Sequence, residues 1–137
     1  MNALTQVRLI WVAGAIQGGI VLVNGILPGR LRVREKMDHV PTFLRQIFYV
    51  HWIYIVLIVG LFSALCFGFA AELSGGSALG RFLSGFIAVF WLLRVALQCF
   101  YYDREVRRAN RQLDAGYLAS LIALSLIFGW AALHPAA

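Results

Sequence analysis

The residues best suited to chemistry lie in the stretch FWLLRVALQCFYYDREVRR (90–108), where a permanently charged side chain, Arg94, interrupts an apolar run. On a helix, Gln98 lies about 40° and Tyr101 about 20° away from Arg94, so the three side chains share one face. A guanidinium beside an amide and a phenol can hold an anion or a carbonyl oxygen, and a nearby cation also stabilises a thiolate. Arg94 is therefore the first candidate for a functional residue.

The composition indicates a membrane protein. Of the 137 residues, 61% are hydrophobic and 13% are charged, and the mean hydropathy is +0.79. A soluble domain is about half apolar and about a quarter charged. The formal net charge of +6 is explained by basic loops that meet anionic lipid, and no recognition motif accompanies it, so we expect no nucleic-acid partner.

Four apolar stretches are long enough to cross a membrane, since about 20 helical residues span a hydrocarbon core of ~30 Å. They cover roughly residues 9–27, 46–69, 82–101 and 117–133. We predict an all-α fold, a four-helix transmembrane bundle that forms one domain over residues 1–137. Pro28 and Gly29 are expected to end the first helix, Pro41 to fall in the first turn of the second, and residues 73–80 to form a flexible turn.

The basic residues are concentrated in two connections. Residues 28–45 and 102–116 carry nine of them, and the opposite side of the predicted membrane carries only Arg8 and Arg81. The positive-inside rule then places the two basic loops in the cytoplasm and both termini outside. We expect an integral protein of a bacterial inner (cytoplasmic) membrane. Because four short spans enclose little volume, we also expect a homo-oligomer or a subunit of a larger membrane complex.

Polar side chains inside membrane spans are costly and mark functional candidates. At the predicted cytoplasmic ends of all four spans they form one cluster, which consists of Asn24, His51, Tyr54, Arg94, Gln98, Tyr101 and Tyr117. All six acids lie outside the predicted spans, so no carboxylate is expected at the depth of Arg94. Arg94 can then snorkel to lipid phosphates, be hydrogen-bonded internally, or bind an anionic or strongly polar ligand. His51 has no second histidine at its depth and too few neighbouring ligands, so neither haem nor a metal is expected.

Part of the chain resembles the membrane-associated eicosanoid and glutathione metabolism (MAPEG) family. The similarity covers roughly residues 90–124, through RVALQCFY (94–101), the basic stretch after it and YLASLIAL (117–124). It implies that Arg94 and Tyr101 face a glutathione site in a trimer. In RQIFYVHW (45–52), Arg45 corresponds to a family arginine, whereas Tyr49 and Trp52 stand where the family has an amide and a carboxylate.

Three functions remain open at this point. The first is a small membrane protein, possessing no chemistry of its own, that binds a lipid, a quinone or a partner subunit through the polar cluster, as an accessory subunit would. The second is a glutathione-dependent membrane transferase, with glutathione as the cofactor and Arg94 and Tyr101 activating its thiolate. The third is an anion-conducting oligomer, a channel or transporter, with Arg94 lining the path.

Overall fold

The computed structural model describes residues 2–30, 32–101, 108 and 111–136. Over the described residues every regular element is a helix. In chain order these are α1 (Ala3–Arg30), α2 (Val33–Lys36), α3 (Thr42–Gly68), α4 (Ala70–Ser74), α5 (Ala78–Phe100) and α6 (Arg111–Leu133). Helices α1, α3, α5 and α6 are each long and apolar enough to cross a membrane. The predicted all-α bundle with four membrane-spanning helices is confirmed at this level.

The helices extend beyond the predicted spans. At 1.5 Å per residue, the 28 residues of α1 measure about 42 Å, which exceeds the hydrocarbon core. Helix α1 also runs through Pro28 and Gly29 to Arg30, so the prediction that these two residues end it was wrong. Proline has no N–H to donate, and its ring crowds the carbonyl four residues earlier. Only two residues of α1 follow Pro28, so little of the helix lies beyond the disturbed turn.

Two connections also differ from their predictions. Pro41 is the N-cap of α3 and lies one residue before its first turn. Within residues 73–80, the first two residues belong to α4 and the last three to α5, so the turn itself is short. The hydroxyl of Ser77 accepts a hydrogen bond from the Gly80 N–H at 3.0 Å and caps α5, which explains why a glycine- and serine-rich segment becomes a defined helix start.

The bundle consists of two antiparallel pairs, α1 with α3 and α5 with α6, and α1 also packs against α6. The short helix α4 lies across one end and contacts all four long helices. We call this the terminal end, because both described termini lie there. Gln6 Nε2 donates to the His134 carbonyl at 2.8 Å, and the Ala136 N–H donates to the Ser74 carbonyl at 2.7 Å. The opposite end, where α1 and α5 finish and α3 and α6 begin, is called the basic end.

The pair α1–α3 is joined by a close backbone approach. A Cβ atom on Gly14 would lie 2.7 Å from the Cβ of Cys66, and the Ser63 hydroxyl donates to the Gly14 carbonyl at 2.8 Å. Inside lipid, burial of apolar surface drives helix association little, so small residues that admit tight packing and interhelical hydrogen bonds matter more. Gly14 therefore lies at a contact within the chain.

The core is concentrated toward the terminal end. Its buried apolar residues are Ile10, Ala13, Ile20, Val59, Phe62, Cys66, Ala70, Leu73, Ile87, Trp91, Leu121, Leu124, Phe128 and Ala131. On α3 and α6 this set begins at Val59 and Leu121, well inside each helix, and on α5 it stops at Trp91. Among the described residues, the long helices therefore pack tightly near the terminal end of the bundle and more loosely toward the basic end.

Candidate functional site

A cleft opens where the packed core stops, and all four long helices line it. We call it the Arg94 cleft. Its polar lining is Asn24 from α1, Trp91 and Arg94 from α5 and Tyr117 from α6, and its apolar walls are Ile20, Val21, Ile55, Val56, Val59 and Phe90. Inside the cleft, the centre of a water molecule can occupy about 20 Å³, which is room for about one water molecule. The cleft can therefore accept an atom or a small polar group rather than a large ligand.

Two polar contacts join α5 to α6 beside the cleft. Arg94 Nη2 donates to the Tyr117 hydroxyl at 3.2 Å, and Gln98 Nε2 donates to Asp114 Oδ1 at 2.5 Å. Arg94 and Gln98 are one helical turn apart on α5, and Tyr117 and Asp114 are one turn apart on α6, so the two antiparallel helices align these contacts as successive rungs. This arrangement holds the guanidinium in the gap between the helices.

Asp114 changes the electrostatics expected for this region. It lies in the first turn of α6, because that helix begins at Arg111 rather than near residue 117. Asp114 lies at the level of its hydrogen-bond partner Gln98, one helical turn from Arg94, and so brings a carboxylate close to the predicted cluster. The sequence did contain a signal that could have placed Asp114 in this cluster. Asp114 precedes Tyr117 by three residues and therefore shares its helix face.

Trp91 is the second residue that was not among the predicted site residues. Its side chain is 1% exposed, and its indole N–H meets no acceptor among the described residues. A buried donor without a partner costs free energy of about 1–3 kcal/mol, and this nitrogen is also shielded from solvent. Trp91 and Arg94 are three residues apart on α5 and both line the cleft.

The structure brings together Asn24, Arg94 and Tyr117 in the cleft, with Gln98 one turn away. The Asn24 amide donates to the Ile20 carbonyl at 2.8 Å, which anchors this side chain to its own helix. All four side chains are partly buried. They form the portion of the predicted cluster that can act on one ligand.

The remaining three predicted residues lie elsewhere. His51 is exposed, and its Nδ1 lies 2.9 Å from the Ile47 carbonyl of its own helix. Tyr54 is 62% exposed and Tyr101, at the C-cap of α5, is 79% exposed. Periodicity correctly indicated that Tyr101 shares a face with Arg94, but Tyr101 lies nearly two turns beyond it and outside the cleft.

Comparison of the chain with protein-family models, with curated proteins and with solved structures found no match. The resemblance to the MAPEG family therefore stays a prediction.

The chemistry of the cleft is that of a donor-rich receptor. Arg94 and Tyr117 bring a guanidinium and a hydroxyl to one small space, and the Trp91 side chain forms part of its wall. The matching ligand group is an oxygen acceptor: a quinone or ester carbonyl, a carboxylate or a phosphate oxygen. Because the walls are apolar, the rest of such a ligand would lie along aliphatic and aromatic side chains.

Proposed function

We propose that this protein is a small integral membrane protein that binds the oxygen-bearing end of a membrane amphiphile, a quinone or a lipid, in the Arg94 cleft. One observation carries the proposal: Arg94 and Tyr117, joined by a hydrogen bond of 3.2 Å, line a small cleft whose other walls are mostly apolar. A carbonyl oxygen in the cleft would lie close to the guanidinium and the Tyr117 hydroxyl. The protein would act by holding the ligand and would supply no covalent chemistry.

The position of the cleft fits a ligand that arrives from within the membrane. It lies between two helix pairs, at the edge of the packed core. The apolar tail of an amphiphile would stay in lipid while its polar end enters the cleft. If the basic end faces the cytoplasm, as the positive-inside rule predicts, the ligand would come from the inner leaflet.

The proposal is tested with decylubiquinone as the probe. The protein in phosphatidylcholine nanodiscs is titrated with the quinone, and quenching of tryptophan fluorescence is followed. We expect saturable quenching, of which Trp91→Phe removes a large part. We expect Arg94→Gln to weaken the apparent affinity about tenfold or more, because a charge-assisted hydrogen bond is worth about 1.5–3 kcal/mol.

Arg81→Gln is the matched control. It removes the same charge from the same helix, but the Arg81 Nε donates to the Ala132 carbonyl at the terminal end, at 3.0 Å, far along α5 from the cleft. Its quenching curve should match that of the parent protein. Quenching that rises linearly and equally in all variants would show only partition into the bilayer. If native mass spectrometry then also shows no lipid lost on Arg94→Gln, the proposal fails.

A second function, assembly with other subunits, is favoured by a separate observation. Only 17–22% of the most apolar window of each long helix is buried within the chain. The exposed surface includes many large side chains of α3, such as Phe43, Leu57 and Leu61. Such apolar faces can pack equally well against lipid or against another copy of the chain. Native mass spectrometry from gently solubilised membranes would give the subunit number, and a monomer at every concentration would contradict a homo-oligomer.

A further inference from the structure

A second cavity lies at the basic end, separate from the Arg94 cleft. It has a volume of about 620 Å³ and lies between the end of α1, the short helix α2 and the first two turns of α3. Its polar lining consists of Arg34, Asp38, Arg45 and Tyr49. Pockets for small molecules commonly measure about 300–1,000 Å³, so this space admits a whole headgroup.

The chain brings two cations to this cavity from separate elements. Arg34 belongs to α2, and Arg45 belongs to the first turn of α3. Arg45 Nη1 lies 3.4 Å from Asp38 Oδ1, and the Arg45 side chain is only 32% exposed. A guanidinium has five N–H donors, so a single contact at 3.4 Å leaves it able to bind a second acceptor.

Tyr49 supplies an uncharged group. It lines the cavity, and its hydroxyl oxygen is shielded from solvent and has no hydrogen-bond partner among the described residues. A buried hydroxyl is stabilised when an acceptor reaches it. The cavity thus combines two guanidinium groups with the side chain of Tyr49 as part of its wall.

We propose that this cavity binds a phosphate group, as found in an anionic membrane lipid or in a soluble phosphate compound. Two arginines provide the planar, charge-assisted hydrogen bonds that suit phosphate oxygens. Asp38 competes with the phosphate for Arg45, because both are acceptors for the same guanidinium. The proposal rests on residues of α2 and α3 and not on the function proposed for the Arg94 cleft.

The test uses the whole protein in nanodiscs of phosphatidylcholine with a minority of phosphatidylglycerol, followed by native mass spectrometry. We expect phosphatidylglycerol to be retained in preference to phosphatidylcholine. The double change Arg34→Gln with Arg45→Gln should lower the retained fraction about tenfold. Asp38→Asn should raise it, since it removes the competing carboxylate while keeping the shape of the side chain.

Lys36→Gln is the control for general charge. It removes a cation from α2, but Lys36 does not line the cavity. If Lys36→Gln lowers retention as strongly as the arginine changes, a diffuse basic surface is responsible and the proposal is wrong. Tyr49→Phe keeps the charge and the ring and should leave retention unchanged, because the Tyr49 hydroxyl is shielded from solvent. Circular dichroism and thermal unfolding identify any variant that fails to fold.

A parallel arm distinguishes the two sources of phosphate. The protein in pure phosphatidylcholine nanodiscs is titrated with glycerol phosphate. Saturable binding that is lost in the arginine variant, with no preference among lipids, assigns the cavity to a soluble compound. Selective lipid retention without such binding assigns it to a lipid headgroup. If neither ligand binds, the proposal is overturned.

Discussion

At the scale of single residues, Gln98 and Asp114 join α5 to α6 one helical turn from Arg94. The Gln98 amide donates a hydrogen bond to the Asp114 carboxylate. Such bonds to charged groups contribute about 1.5–3 kcal/mol. The sequence suggested Gln98 as a ligand contact, but the structure shows it holding the helix that carries Tyr117.

A double-mutant cycle tests this role. Gln98→Ala and Asp114→Ala are made singly and together, and unfolding is followed by titration with sodium dodecyl sulfate in mixed micelles. We expect a coupling free energy of about 1–2 kcal/mol, because each single change removes the same hydrogen bond.

Gln6 provides the comparison for that cycle. Gln6 lies at the terminal end, where it bonds the His134 carbonyl. The changes Gln6→Ala and Gln98→Ala should be additive within about 0.5 kcal/mol, since the two sites are far apart and share no partner. A coupling between Gln98 and Asp114 no larger than this would mean that the contact does not stabilise the helix pair.

At the scale of elements, the pair α1–α3 depends on a glycine at one position and tolerates change at another. Gly14 faces Cys66 so closely that a Cβ would lie 2.7 Å from the cysteine Cβ, whereas a Cβ on Gly19 would meet nothing within 4 Å. The two glycines belong to the same helix, and neither of them lines the Arg94 cleft or the cavity at the basic end. They therefore form a matched pair for a packing test.

We expect Gly14→Ala to lower the free energy of unfolding by about 1–3 kcal/mol, because overpacking must move one of two backbones. Gly19→Ala should be neutral or should stabilise by up to about 1 kcal/mol, since alanine favours the helix. The measurement is the same detergent titration. Equal effects at the two positions would contradict the close α1–α3 contact.

At the scale of the whole molecule, both described termini and α4 lie at one end, and the helix ends that carry most of the basic residues lie at the other. The net charge of +6 is thus distributed asymmetrically along the bundle. Anionic lipid and the insertion machinery favour basic residues on the cytoplasmic side. The proposal that the terminal end faces outward follows from this asymmetry.

Fusions to the C-terminus test the orientation in a bacterial host. Alkaline phosphatase, which is active only outside the cytoplasm, should be active there, and green fluorescent protein, which fluoresces when it folds inside, should remain dark. The same reporters fused after residue 36 should give the opposite results. A fluorescent C-terminal fusion together with inactive phosphatase would reverse the proposed topology.

The sequence by itself determined the class of the protein and the number of membrane-spanning helices. Twenty apolar residues must form a helix in lipid, because every backbone N–H and C=O needs an internal partner. Helical periodicity also placed Arg94 and Gln98 on one face of α5 correctly.

Only the tertiary structure decided which polar residues meet. The rotation of α3 about its axis leaves His51 and Tyr54 exposed, and the early start of α6 brings Asp114 next to Gln98. A sequence places a residue at a depth and on a face of its own helix. Which face meets a neighbour depends on close contacts such as that between Gly14 and Cys66, which arise between residues far apart in the chain.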